Sequence, residues 1–251
     1  MMALLEVQGL GMSFGGLLAN WDISFEVAAG ELVGLIGPNG AGKSTLFNCV
    51  AGLYSPTAGR VFFQGSDVTG FKPYQMARLG LARTFQVYAA TGDLNVLENV
   101  MVGSFLRTRS RVLAKQKAEA LLEQMNLSDL ARERVANLPV ASQKRVVMAT
   151  ALATDPQLLL LDEVAAGLNP REIDQTIGLI RWVHAHLKVT VILIEHVMEL
   201  VMKLSHRVLV LDSGRLIAEG EPSDISSRPE VIRAYLGERY AAELLSQKQG
   251  T

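Results

Sequence analysis

The densest chemistry in the chain lies in nine consecutive residues, Gly37-Pro38-Asn39-Gly40-Ala41-Gly42-Lys43-Ser44-Thr45. They match the pattern of a phosphate-binding loop, glycines followed by Gly-Lys-Ser/Thr. The glycines let the backbone curl so that its N–H groups and the next helix start face negative charge. Lys43 is expected to reach the β- and γ-phosphates of a nucleotide, and the Ser44 hydroxyl to ligate Mg²⁺. Such a loop needs a metal-holding acid at the end of another buried strand. Leu158-Leu159-Leu160-Leu161-Asp162-Glu163 supplies it. Asp162 is read as positioning Mg²⁺, and Glu163 as the general base that polarises an attacking water. The chemistry indicated is hydrolysis of ATP with Mg²⁺ as cofactor.

The elements around these residues must hold them. Residues 31–36 read as a buried strand feeding the glycine loop, with a helix from Lys43. Residues 4–8, 21–27 and 60–63 read as further strands. From about 74 to 136 helical patterns dominate (74–82, 96–105 and 109–126), as in a helical lobe set into an α/β core. Residues 157–161, 190–194 and 207–211 read as buried strands, with helices at 170–187 and after His196. Apolar strands alternating with helices predict a mainly parallel sheet.

Composition narrows the class. The chain has 251 residues, 49% hydrophobic and 20% charged, with a formal net charge of −1. That supports a sizeable core and argues against a strongly basic nucleic-acid binder. The single cysteine, Cys49, excludes an internal disulfide and reads as a buried core residue. No apolar run approaches the roughly 18 to 20 residues needed to cross a membrane, and the N-terminus lacks the basic start of a signal peptide. His184, His186 and His206 read as structural or surface residues, and Trp21 and Trp182 as packing.

The order of these pieces resembles the ABC (ATP-binding cassette) ATPases over about residues 4–237, leaving 238–251 as a tail. The resemblance implies an α/β fold: a P-loop NTPase core with a mainly parallel sheet, an antiparallel N-terminal β subdomain, and a helical subdomain inserted at about 74–156. It implies roles as well. Gln86, in Arg83-Thr84-Phe85-Gln86, matches the Q-loop glutamine that contacts Mg²⁺ and the attacking water and senses the membrane partner. His196 matches the switch histidine at the γ-phosphate, and Phe14 the aromatic that stacks on adenine. Gly167-Leu168-Asn169 matches the D-loop at the dimer interface. Arg78, Arg83 and residues 87–93 flank Gln86 and are expected to receive a coupling helix of the membrane subunits.

A narrower resemblance rests on Arg83-Thr84-Phe85-Gln86, Val96-Leu97-Glu98-Asn99-Val100, Ala165-Ala166-Gly167-Leu168-Asn169-Pro170 and Pro229-Glu230-Val231-Ile232-Arg233-Ala234-Tyr235-Leu236-Gly237. These look like the branched-chain amino-acid importer ATPases, the larger of that system's two ATPase types. Lipopolysaccharide-export ATPases end similarly and form the alternative; a non-transport ABC ATPase is a third reading. The implied partners are a second ABC ATPase subunit (a homologous, different chain, or a second copy of this one), two transmembrane permease subunits and a periplasmic solute-binding protein, with no nucleic acid. The implied location is cytoplasmic, peripheral on the inner face of the plasma membrane.

The pattern breaks at one place. The family's signature loop reads Leu-Ser-Gly-Gly-Gln, and here Leu138-Pro139-Val140-Ala141-Ser142-Gln143-Lys144-Arg145 stands there. Its task is to clamp the γ-phosphate bound by the opposite subunit through backbone N–H groups and a helix start. Ser142 is expected to contribute to nucleotide binding, and the absent glycines to weaken the clamp. Val164 also replaces the proline that follows the catalytic glutamate in the family.

Overall fold

The computed structural model describes residues 3–84 and 93–236. In chain order the first elements are β1 (Ala3–Phe14), β2 (Leu17–Ala28), β3 (Leu32–Ile36), α1 (Lys43–Val50), β4 (Ala58–Phe63) and β5 (Ser66–Asp67). Then come α2 (Pro73–Leu79), β6 (Leu81–Arg83), α3 (Val96–Ser104), α4 (Arg111–Gln124), α5 (Val140–Leu152), β7 (Leu158–Asp162) and α6 (Pro170–Leu187). The chain closes with β8 (Thr190–Ile194), α7 (Met198–Leu204), β9 (Arg207–Asp212), β10 (Arg215–Gly220), α8 (Pro222–Ile225) and α9 (Pro229–Leu236).

These elements fall into two compact units, one holding residues up to Phe71 and from Ile192 onward, the other Lys72–Val191. The first unit contains an antiparallel sheet in the order β2-β1-β4-β5. It also carries strands in the order β10-β9-β3-β8, in which β3 runs parallel to β9 and β10 antiparallel to it. All five residues of β3 are buried, which explains its continuous apolar run. Arg207 on β9 donates from Nε to Glu31 Oε1 at 2.7 Å, tying the strand to the entry of β3.

Strand β2 explains why Trp21 does not pack inside. Val27, Phe25 and Ile23 alternate inward, and continued alternation would bury Trp21. Instead Asp22 adopts φ 49°, and the register steps from Leu10↔Ile23 to Met12↔Asn20, one extra residue on β2. A bulge of this kind swaps the faces beyond it. Trp21 is therefore 48% exposed, with the Arg215 guanidinium 5.4 Å from its ring centroid, while Asn20 is fully buried.

In the second unit β6 runs parallel to β7. The stretch read as helical over 74–82 is divided: α2 stops at Leu79, Gly80 takes φ 102°, and Leu81–Arg83 turns into a strand. Leu81 and Ala82 satisfy the helical period equally well, but pairing with Leu158 and Leu159 claims their backbone. Leu158, Leu159, Leu160 and Leu161 are all fully buried. Each such side chain stabilises the fold by about 1.5–3 kcal/mol relative to exposure. Helices α3 and α6 begin in capping boxes, Asn95 with Glu98 and Asn169 with Glu172. Helix α6 and strand β8 match the stretches read from the sequence, 170–187 and 190–194.

Candidate functional site

The glycine loop leaves the buried end of β3 and enters α1 at Gly42, whose φ is 95°. A side chain at Gly42 would run into Asn20 and the Ala19 carbonyl, and one at Gly37 into the Leu211 carbonyl. Both positions therefore require glycine for space and, at Gly42, for a left-handed backbone. Lys43 is only 6% exposed, and its ammonium curls onto its own loop, donating to Gly37 O at 2.7 Å and Pro38 O at 2.9 Å. Ser44 is exposed, Thr45 half-buried, and Asn39 and Gly40 exposed at the loop tip. Pro38 is half-buried and Ala41 buried.

Two residues brace this loop that the sequence reading did not single out. Asn20 Nδ2 donates to Gly42 O at 3.2 Å, while its Oδ1 is buried without a hydrogen-bond partner. The Asp22 bulge that turns Asn20 inward has no simple sequence signal. Tyr235, on α9, receives a hydrogen bond from the Gly37 backbone. Burial raises its phenol pKa above the usual value, and the Gly37 contact opposes that. Phe14 closes β1, is 43% exposed, and meets Tyr54 edge-to-face at 5.3 Å. His196 is exposed in the turn between β8 and α7.

The acids lie in the second unit. Asp162 ends β7 and is 5% exposed. Its Oδ2 accepts from Arg83 Nη2 at 2.8 Å, whereas Oδ1 is buried with no hydrogen-bond partner. Arg83 is thus a buried counter-ion with a side chain 7% exposed, and the expectation that it faces a membrane subunit is overturned. Parallel pairing of β6 with β7 sets Arg83 beside Leu160, from which its side chain reaches Asp162. Thr84 supports the same strand end: its Oγ1 accepts from Asp162 N at 3.2 Å. Arg78 is exposed, its guanidinium 5.8 Å from the Tyr74 ring centroid. Gln86 and most of the flanking segment 87–93 lie outside the described residues.

Glu163 follows at φ 49°, a left-handed backbone that non-glycine residues rarely take. The loop after it is anchored by Lys144 of α5, which donates to Glu163 O at 2.9 Å and Ala166 O at 2.6 Å. Within this loop Val164 and Ala165 are buried.

Comparison with known proteins places the chain. A family model described as ABC transporter matches residues 21–166, and one described as Branched-chain amino acid ATP-binding cassette transporter matches residues 215–241. The High-affinity branched-chain amino acid transport ATP-binding protein LivG of Escherichia coli (strain K12) is 41% identical over 252 residues, covering 94% of this chain and 98% of LivG. This chain belongs to the ABC transporter family. BraF of Pseudomonas aeruginosa, named for the same transport, is 39% identical over 250 residues, with 94% of this chain and 98% of BraF covered. The crystal structure of a nucleotide-free ATP-binding cassette from an ABC transporter matches with a TM-score of 0.86 at 29% identity, covering 94% of this chain and all of that one. The chain is accordingly an ABC-type ATPase that binds and hydrolyses ATP, and its fold is that of the P-loop NTPase cassettes.

Within this ABC cassette the signature position begins α5. Pro139 is its N-cap, with no side-chain cap, and Val140 and Ala141 already hold helical positions. Val140 is 45% exposed. Ser142 is 6% exposed, and its hydroxyl accepts from Arg145 Nη2 at 3.2 Å. At the D-loop position Gly167 takes φ 76°, and the Asn169 side chain accepts from Glu172 N at 3.0 Å as the N-cap of α6. Two further histidines have structural partners: His206 Nδ1 accepts from Leu32 N at 3.2 Å, and His186 stacks on Trp182 at 5.4 Å. No helix among the described residues is long and apolar enough to cross a membrane.

Proposed function

We propose that this chain is the ATP-hydrolysing subunit of a bacterial ABC importer for branched-chain amino acids or related small solutes. The observation that carries the reading is the likeness to LivG across 94% of the chain, continued by the family match at residues 215–241. The glycine loop alone would suit many P-loop ATPases. The subunit works on the cytoplasmic, inner face of the plasma membrane. It pairs with a second, homologous ATPase chain and with two permease subunits, and a periplasmic binding protein delivers the solute.

The residues divide the chemistry. Gly37, Gly40, Gly42 and their neighbours turn backbone N–H groups to the phosphates, and Lys43 neutralises charge on the β- and γ-phosphates. Phe14 stacks on adenine. Ser44, Asp162 and Gln86 are the residues that would hold Mg²⁺, and the unpartnered Asp162 Oδ1 suits such an ion or its water. Bound Mg²⁺ would supply further neutralisation of phosphate charge. Glu163 accepts a proton from the attacking water, and His196 steadies the γ-phosphate. Catalysis is positioning plus electrostatics.

The test is uptake. Proteoliposomes containing this chain with its permease and partner ATPase, supplied with the binding protein, should accumulate radiolabelled leucine, isoleucine or valine only with internal ATP. ATP-dependent accumulation of none of the three, by a complex that hydrolyses ATP, overturns the substrate assignment.

A further inference from the structure

The backbone at Glu163 is held in an unfavourable conformation by a side chain from another helix. At φ 49° its Cβ crowds the following carbonyl, so the conformation persists only where its surroundings impose it. Val164 carries no ring to fix the next residue's backbone. One restraint is Lys144, whose ammonium bridges two carbonyls of the same loop, Glu163 O at 2.9 Å and Ala166 O at 2.6 Å. Ala166 N also donates to Glu163 O at 3.3 Å, so that oxygen is gripped from two sides. Hydrogen bonds from an ammonium are shorter and stronger than neutral ones, which suits a task of holding strain. Lys144 itself stands one turn into α5, and Val140-Ala141-Ser142 forms the first turn of that helix.

We infer that Lys144 is a positioning residue for hydrolysis: it holds the Glu163 backbone left-handed and so sets the direction of the carboxylate. Because Lys144 rides on α5, the start of that helix and the loop carrying Glu163 are mechanically joined. Displacement of α5 is thereby passed to the base without any contact between Lys144 and nucleotide. This rests on the reading of Glu163 as general base.

The experiment compares K144M, K144Q, K144R and E163Q in the assembled transporter, measuring kcat and KM for ATP, ATP binding, and thermal unfolding. K144M keeps the aliphatic stem and removes the bridge, and should lower kcat about tenfold with KM and ATP affinity changed less than about twofold, since misplacing a catalytic group spares binding. K144Q, the second variant, should behave alike because a neutral amide replaces the ammonium. K144R, which retains charge and several donors, should restore at least about a third of wild-type kcat. Wild-type kcat in K144M or K144Q, alongside an inactive E163Q, overturns the role of Lys144 while leaving Glu163 as base. An active E163Q overturns the base assignment instead. Equal losses in kcat and in ATP affinity in K144M and K144Q, with no recovery in K144R, mean that Lys144 supports the fold only.

Discussion

Arg83 and Asp162, 79 residues apart in sequence, form a buried ion pair at 2.8 Å with side chains only 7% and 4% exposed. One carboxylate oxygen is therefore committed to a guanidinium, and the other is buried with no hydrogen-bond partner. The pair neutralises a charge that burial alone would make costly, and it orients the oxygen that is left.

Removing one partner of this pair should destabilise the protein strongly. Arg83→Met is expected to lower unfolding stability by about 3–5 kcal/mol, because it strands the Asp162 carboxylate. Arg83→Met combined with Asp162→Asn should recover part of the loss. Arg78→Glu, at an exposed site, should change stability by less than about 0.5 kcal/mol. Urea unfolding of the three variants checks the set.

Glu163→Gln should keep ATP binding and reduce turnover by about 10²-fold or more, since the amide cannot accept a proton from water. Nucleotide titration of the variant beside its steady-state turnover in the full complex reads both quantities. Near-normal turnover sinks the assignment of the base.

The start of α5 offers a test of the altered signature. Val140→Gly with Ala141→Gly should raise turnover of the assembled transporter about tenfold, by letting backbone N–H groups approach phosphate. One strengthened charge-assisted hydrogen bond of about 1.5–3 kcal/mol is enough for that. Ser142→Ala should change nucleotide affinity little, because its hydroxyl is turned to Arg145. Unchanged turnover in the double-glycine variant means that the loop works through its present backbone.

Cys49 provides a pH test of core burial. Desolvation pushes its thiol from 9.0 up to about 11. The folded state thus keeps a proton that the unfolded chain loses first. Its contribution to stability is complete below pH 9 and falls away as pH rises from 9 to 11. Cys49→Ala should flatten this part of the stability–pH curve, read by thermal unfolding between pH 8 and 11. Maleimide labelling at pH 7 should be slow in the native protein and fast in urea.

What the sequence by itself determined is local. The turn from β3 into α1 needs glycine at Gly37 and Gly42 and a lysine at Lys43, and consecutive residues state all of that. The same holds for α6, whose Asn169-Pro170 start and Glu172 form a complete capping signal, and for the four leucines of β7. What only the tertiary structure decided depends on register and packing. Leu81–Arg83 is helix or strand by pattern alone, and pairing with β7 makes it a strand and turns Arg83 toward Asp162. The bulge at Asp22 exchanges Trp21 for Asn20 on the buried face, bringing an amide to Gly42. Lys144 reads as one more charge on a helix until packing sets its ammonium on the Glu163 carbonyl. Periodicity and turn chemistry act within a few residues of one another, whereas the partner of a charged side chain is whichever group the fold carries within about 3 Å of it.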